Sequence, residues 1–335
     1  MEHCQRFRTS DAGIRRRRDV VRSGITDEEI RRMCVGGRWY RLRRGAYTDR
    51  VGFAGLGAAD RHRILIAAVV ANLSGDAILS HQSAAVVYGA PVWDQLLPRV
   101  CVTRNRRNGG RIKPDLKVHC APVEAVAEVA GLRLTTPART IVDVARTVPF
   151  EAAVVAGDAL VRTYGVTADE LEAELEAAKH RHGVHPARHV IRFLDPHCAS
   201  VGESRSRVMF RRLGVPVPQS QGEVFTSQGT SLGRVDFWFG NSGVLGEFDG
   251  RARHGRLLRS GDDPAEVVLL EQRRADALRD NGFQVVRWTW DDLPGGEVAT
   301  RVRQALLSAG QRARPDGWIR RTGLPDPKPI VVHTL

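Results

Sequence analysis

Along the first sixty residues the apolar positions recur twice at helical spacing and then change to strand alternation. In GIRRRRDVVRSG, Ile14, Arg18 and Val21 share one stripe, which predicts a short helix ended by Gly24. ITDEEIRRMC follows with a full N-terminal signature: Thr26 as cap, Glu29 three residues on, and Ile25 placed to staple to Ile30. Ile30, Met33 and Cys34 then form a buried face, Arg31 and Arg32 stay outside, and Gly36-Gly37 ends the helix. RWYRLRRGAYT alternates around a glycine and reads as a two-stranded ribbon exposing Arg38, Arg41, Arg43 and Arg44. Two helices and an arginine-studded ribbon over residues 1–59 predict a winged helix-turn-helix, with 27–35 as recognition helix and the ribbon lying on phosphate.

Residues 60–195 predict an α/β middle segment. A helix is expected near 60–73, a second after a Ser80 cap, and strands at 99–103 and 116–120 around a basic loop. Thr136 caps another helix with Pro137 in its first turn and a stripe of Ile141, Val142, Val144 and Ala145. Further helices are expected over 150–164 and 167–182. His81 and Ser83 sit two apart with no carboxylate placed to orient the histidine, so no hydrolase triad is read there. This segment reads as scaffold.

Chemistry concentrates after residue 196. GRVDFWFGNSGVLGEFDG predicts a hairpin around a two-residue Asn241-Ser242 loop, with Gly240 opposite Gly243 and Asp236 opposite Glu247. Alternation then puts Asp236, Glu247 and Asp249 on one face, and Val235, Phe237, Phe239, Val244 and Phe248 on the other, a core face. Opposed positions lie about 4.5–5.5 Å apart at Cβ. Carboxylates that close call for a divalent cation, and hard oxygen donors favour magnesium, with manganese as substitute. A helix capped by Asp263 and ended by Asn281-Gly282 carries Glu271 on one stripe with Val268, Ala275 and Leu278, pointing it at the sheet. A strand, 283–290, follows; upstream, GESRSRVMFRRLGV predicts a helix presenting Glu203.

Composition sharpens the picture in one respect. The chain has 335 residues, a net charge of +13 and a body close to neutral. Residues 1–63 hold 16 basic and 8 acidic side chains, and the last 35 hold 7 and 2. Charged ends argue for a polyanion partner. Five scattered cysteines with no CxxC pair exclude a disulfide framework or zinc knuckle and fit a reducing cytoplasm. No apolar run approaches the roughly 20 residues of a membrane span, and no secretory signal is read. The proline-rich, basic stretch 311–335 predicts a disordered tail.

Helix with Glu203, strand with Asp236, strand with Glu247, helix and strand follow the order of the restriction-endonuclease-like PD-(D/E)xK superfamily. GEFDGRARHGR and EQRRADALRDNGFQVVRWTWDDL resemble very-short-patch-repair-like nuclease domains. TDEEIRRMCVGGRWYRLRRGAYT and SHQSAAVVYGAP resemble the winged-helix and middle domains of AbiEi-type antitoxins. Together the resemblances cover most of residues 10–293. They imply an α/β multi-domain protein with a nuclease-like domain over 196–310, Asp236 and Glu247 as metal ligands, Glu203 as helper and His254 as a catalytic histidine; Asp249 and Glu271 complete the expected site. The superfamily's lysine falls at position 249, which is Asp, and the alternative positions hold Arg253 and Gln272. Two functions follow as expectations: a DNA-binding, antitoxin-like transcriptional regulator with a cognate toxin, or a magnesium-dependent endonuclease.

Overall fold

Thr26 takes up its cap, accepting from Glu29 N–H while the Glu29 side chain accepts from Thr26 N–H. The structure, a computed structural model, describes residues 13–250 and 264–335, and of 264–269 the backbone alone. Its first elements are β1 (Arg15–Arg16), α1 (Arg17–Arg22), α2 (Asp27–Val35), β2 (Trp39–Arg43) and β3 (Ala46–Asp49). The strands form an antiparallel sheet in the order β1-β3-β2. Here the expected Ile14–Arg18–Val21 stripe is corrected. Arg15 and Arg16 pair with Tyr47 and Ala46, so the helix starts later and turns Val20 inward, leaving Val21 exposed. Val20 packs with Ile30, Trp39 and Tyr47, and Ile25 closes over them as the staple requires.

Next come α3 (Arg50–Ala54), α4 (Ala58–Val70), β4 (Ala77–Leu79), α5 (His81–Tyr88) and β5 (Val100–Arg104). They are followed by β6 (Arg111–Ile112), β7 (Leu116–Cys120), β8 (Ala125–Val129) and β9 (Leu132–Thr135). The helices α6 (Pro137–Ala145), α7 (Phe150–Tyr164), α8 (Ala168–Ala177) and α9 (Val184–Ile191) complete this stretch. Thr136 caps α6 through Arg139 N–H with Pro137 in the first turn, as its sequence requires.

The chain then enters a second compact unit, residues 195–326, before returning to the first for 327–335. The second unit contains α10 (Val201–Arg212), β10 (Gln219–Thr226), β11 (Ser231–Trp238), β12 (Val244–Asp249), α11 (Pro264–Asp280), β13 (Gln284–Thr289), α12 (Glu297–Ala309) and β14 (Gly317–Arg321). Its sheet runs β13-β12-β11-β10-β14, with β12 and β13 parallel and the other pairs antiparallel. The last strand, β15 (Val331–Thr334), pairs with β8 and gives the first unit a sheet in the order β15-β8-β9-β4-β5-β7-β6. The expected disordered tail is therefore corrected: backbone pairing to two sheet edges orders it, which its polar composition does not disclose. The protein is mixed α/β.

Both faces of the second unit's sheet are covered. Phe237, Val244 and Trp288 join Met209 and Phe210 of α10 and Val298 and Val302 of α12 in one cluster. Val224, Val235, Trp238 and Leu245 join Leu278 of α11 in another. Neighbouring residues Val244 and Leu245 thus face opposite cores, so the face expected to hold Asp236, Glu247 and Asp249 also buries apolar side chains.

Candidate functional site

The hairpin between β11 and β12 has the expected register, Phe237 opposite Gly246 and Trp238 opposite Leu245. Its loop differs: Gly240–Ser242 form a tight helical turn, with φ of 56° at Gly240 and 76° at Gly243, closed by Phe239 N–H donating to Val244 O over 3.0 Å. A side chain at either glycine would have to adopt a left-handed backbone, so the pairing of Gly240 with Gly243 is replaced by a turn. The register survives because the loop grew by one residue on each side.

Asp236 and Glu247 lie beyond the last ladder pair. There the Asp236 carboxylate accepts from Phe248 N–H at 2.9 Å. Burial, and then the charge of Glu203, push its pKa up from 3.8 to about 6; the Phe248 bond and Arg274 oppose this, and Glu247 adds to it. Glu203 is buried at the start of α10, where Ser200 caps the helix. Its oxygens accept from Ala199 N–H at 3.0 Å, Ser200 Oγ at 2.9 Å and Gln221 Nε2 at 2.9 Å. Gln221 is held at a φ of 58°, and Arg234 donates to its Oε1 at 3.3 Å.

Glu247 is engaged by two arginines. Arg287, its partner across the parallel β12–β13 pair, donates from Nε to Oε2 at 2.7 Å. Arg274 Nη2 of α11 stands 2.8 Å from Oε1. That nitrogen donates to the Arg234 carbonyl, so its attraction to Glu247 is electrostatic rather than a directed hydrogen bond. Arg274 thus places a cation beside Glu247, at a position not among the expected site residues.

The remaining expected site residues are scattered. Asp249 ends β12 exposed, and Glu271 is exposed rather than aimed at the sheet. Over the described side chains of α11, Leu278 is fully buried, whereas Leu270, two turns earlier, is 56% exposed. His254, Arg253 and Asp263 lie outside the described residues. Among the described residues no three His, Cys, Asp or Glu side chains form a group able to hold a metal. Both Glu203 oxygens and Glu247 Oε2 are taken by protein donors, while Glu247 Oε1 accepts no hydrogen bond and faces the Arg274 guanidinium. With that cation in place, the donor set does not fit a divalent metal.

The raised pKa of Asp236 has a stability consequence. Between pH 3.8 and about 6 the folded state binds more protons than the unfolded one, so this group's contribution is full below 3.8 and is lost as pH rises through about 6. Asp236→Asn keeps an oxygen for Phe248 N–H and removes the repulsion. It is expected to stabilise the second unit at pH 7 by on the order of 2 kcal/mol, and to flatten the decline between pH 4 and 6. Urea titrations of parent and variant at both pH values measure this; equal slopes would remove the Asp236–Glu203 repulsion from the account.

In the first unit, Arg31, Arg32, Arg38, Arg41 and Arg44 are exposed on α2 and around the β2–β3 ribbon. Arg31 pairs with Glu28 at 3.2 Å, while Arg32, Arg38, Arg41 and Arg44 make no side-chain hydrogen bond or salt bridge among the described residues. Arg43 is corrected. It is half-buried, with Nε 2.9 Å from Asp115 Oδ2 and Nη1 on the carbonyls of Ala68 and Val69 at 3.4 Å, so it ties the ribbon to α4 and faces no solvent partner.

A buried polar cluster lies deeper. His81 opens α5 at a φ of 52°, stands 2.9 Å from Ser80 Oγ by Nδ1 and stacks on His119 at 3.7 Å. Burial pushes His81 down to about 4 and His119 to about 3. Ser83 is not paired with His81: it bonds His62 Nε2 at 2.9 Å and accepts from Cys101 N–H at 2.8 Å. These hydroxyl–imidazole pairs, Ser83 with His62 and Ser80 with His81, are all buried away from any substrate, and the cluster is read as structural.

No helix of the described residues is long and apolar enough to cross a membrane. No family model matches the chain. Uncharacterized proteins from two strains of Mycobacterium tuberculosis are 27% identical to it over 256 residues, covering 75% of this chain and 88% of each relative.

Proposed function

We propose that this protein is a duplex-DNA-binding regulator of the AbiEi antitoxin type, with a winged helix-turn-helix at its N-terminus and a nuclease-like second unit retained without turnover. The observation that carries the reading is the set Arg32, Arg38, Arg41 and Arg44, exposed on one helix and the adjoining ribbon, with no salt bridge to a carboxylate among the described residues. An uncompensated guanidinium is the group a phosphate backbone recruits. The doubly paired Glu247 supports a regulator over an enzyme, since a cation would have to displace both Arg274 and Arg287. By the same resemblance the protein partner is a cognate toxin.

Fluorescence anisotropy on a labelled duplex tests the reading. The Arg32→Ala, Arg38→Ala double variant is expected to weaken binding to every sequence and to reduce the log–log salt slope by about two. A parent with no salt-dependent affinity for duplex would end the proposal.

A second reading, a magnesium-dependent DNA endonuclease, is favoured by the mutual repulsion of Asp236 and Glu203, which an added cation would relieve. Single-turnover incubation of plasmid with Mg²⁺ or Mn²⁺ separates the two: rapid cutting by the parent selects the enzyme.

A further inference from the structure

The ribbon β2–β3 does not lie flat against the rest of the first unit. Between its turn, α4 and the segments 94–98 and 113–115 runs a cleft of about 690 Å³. That is within the roughly 300–1,000 Å³ range of small-ligand sites. Its walls combine apolar surface from Tyr40, Phe53, Leu65, Leu97 and Pro98 with an excess of positive charge.

Two of the lining cations are already matched. Arg43 pairs with Asp115 at 2.9 Å and Arg61 with Asp94 at 3.2 Å. Arg41, Arg44 and Lys113 also line the cleft, and among the described residues none makes a side-chain hydrogen bond or ion pair. His62 adds no charge at neutral pH, because burial holds it down to about 4. The cleft thus presents three uncompensated cations from two sides, above an apolar floor.

We propose that this cleft binds a small phosphorylated ligand of the nucleoside di- or triphosphate class. Three cations match the charge of a short phosphate chain, and the fork of an arginine suits its oxygens. The apolar wall suits a planar base. A half-open cleft between ribbon and helix admits a whole small molecule, whereas a duplex offers phosphates on a convex ridge and meets exposed arginines such as Arg32 and Arg38. Occupancy would bridge the ribbon to the segment carrying Lys113, so the ligand is a candidate effector of the proposed DNA-binding module. The site shares Arg41 and Arg44 with that reading; Lys113 and the apolar wall set it apart.

Isothermal titration of the full chain with ADP, GDP and inorganic pyrophosphate tests the proposal, with duplex affinity measured in parallel. Saturable binding of ADP or GDP is expected, weakened about tenfold or more by Lys113→Ala and by Arg44→Ala. Both side chains are exposed, so neither variant should disturb folding. Arg32→Ala, Arg38→Ala, which lie outside the cleft, should leave nucleotide affinity unchanged while weakening duplex. No saturable binding by the parent overturns the proposal, as does unchanged affinity in both cleft variants. Pyrophosphate binding as tightly as the nucleotides would remove the nucleoside from it. If Lys113→Ala weakens duplex binding as strongly as the Arg32/Arg38 pair and nucleotides do not bind, the cleft belongs to DNA and the proposal falls while the regulator reading stands.

Discussion

Replacing Asp143 with alanine is expected to destabilise the first unit by about 3–5 kcal/mol, the range for removing one partner of a buried ion pair. Asp143 lies on α6 and is 1% exposed. Its Oδ2 accepts from Arg139 Nε at 2.9 Å and its Oδ1 from Arg146 Nη1 at 3.0 Å. Burial alone would raise its pKa, yet the charges around it, these two guanidiniums among them, hold it below the ordinary carboxylate value. Without it, among the described residues Arg139 keeps Glu174 at 3.5 Å and the Pro122 carbonyl at 3.4 Å, and Arg146 the His182 carbonyl at 3.0 Å. Two cations, seven residues or about two turns apart, would then lack the carboxylate between them in a dry interior. Asp143→Asn retains an acceptor and a similar volume, so its loss should be smaller. Urea unfolding of the full chain followed by far-UV circular dichroism checks the order. A loss below about 1 kcal/mol for alanine would mean that water reaches the cluster and screens it.

How much of this was legible beforehand depended on the range of each interaction. The capping of α2 and α6 was readable because Thr26 with Glu29, and Thr136 with Pro137, act within one turn. The register of β11 on β12 was readable because the chain between them is short and its alternation is strict. Arg287 beside Glu247 was not, since it follows from a parallel pairing that skips forty positions and a helix. Arg274 was missed for a different reason: helical phase placed Glu271 correctly relative to Leu278, but phase does not tell how far along its length a helix stays in contact. The tail failed on composition. Trp318 and its neighbours pair with β10, and Val331–Thr334 with β8, through backbone groups that proline-rich and basic sequences still possess. Strands β8, β9 and β10 and helix α12 also went unread.

Trp288→Ala is expected to cost the second unit about 3–5 kcal/mol, the usual loss for a fully buried aromatic. Trp288 is 1% exposed on β13, and its ring lies 5.4 Å from Phe237 in a stacked arrangement and 5.3 Å from Phe210 edge-on. The indole also occupies space that no other residue can fill cheaply: a Cβ at Gly246 would come within 2.6 Å of it, so glycine at that position is the complement of tryptophan at this one. Its Nε1 donates to Ser206 Oγ at 2.7 Å, while Ser206 donates to the Gly202 carbonyl at 2.7 Å, which links β13 to α10 through a buried chain. Trp288→Phe keeps ring packing and removes only the N–H. Ser206 retains its own bond to Gly202, so that variant should lose about 1–2 kcal/mol, a hydrogen bond and a partial cavity. The two losses differ enough to be resolved by guanidinium unfolding. Because Glu247 neighbours Gly246 and meets Arg287 one residue before Trp288, the alanine variant should also loosen the Glu247–Arg287 pair, whereas Trp288→Phe should keep it. Equal stabilities for the two variants would show that the ring contributes little and that α10 and α12 close over the gap.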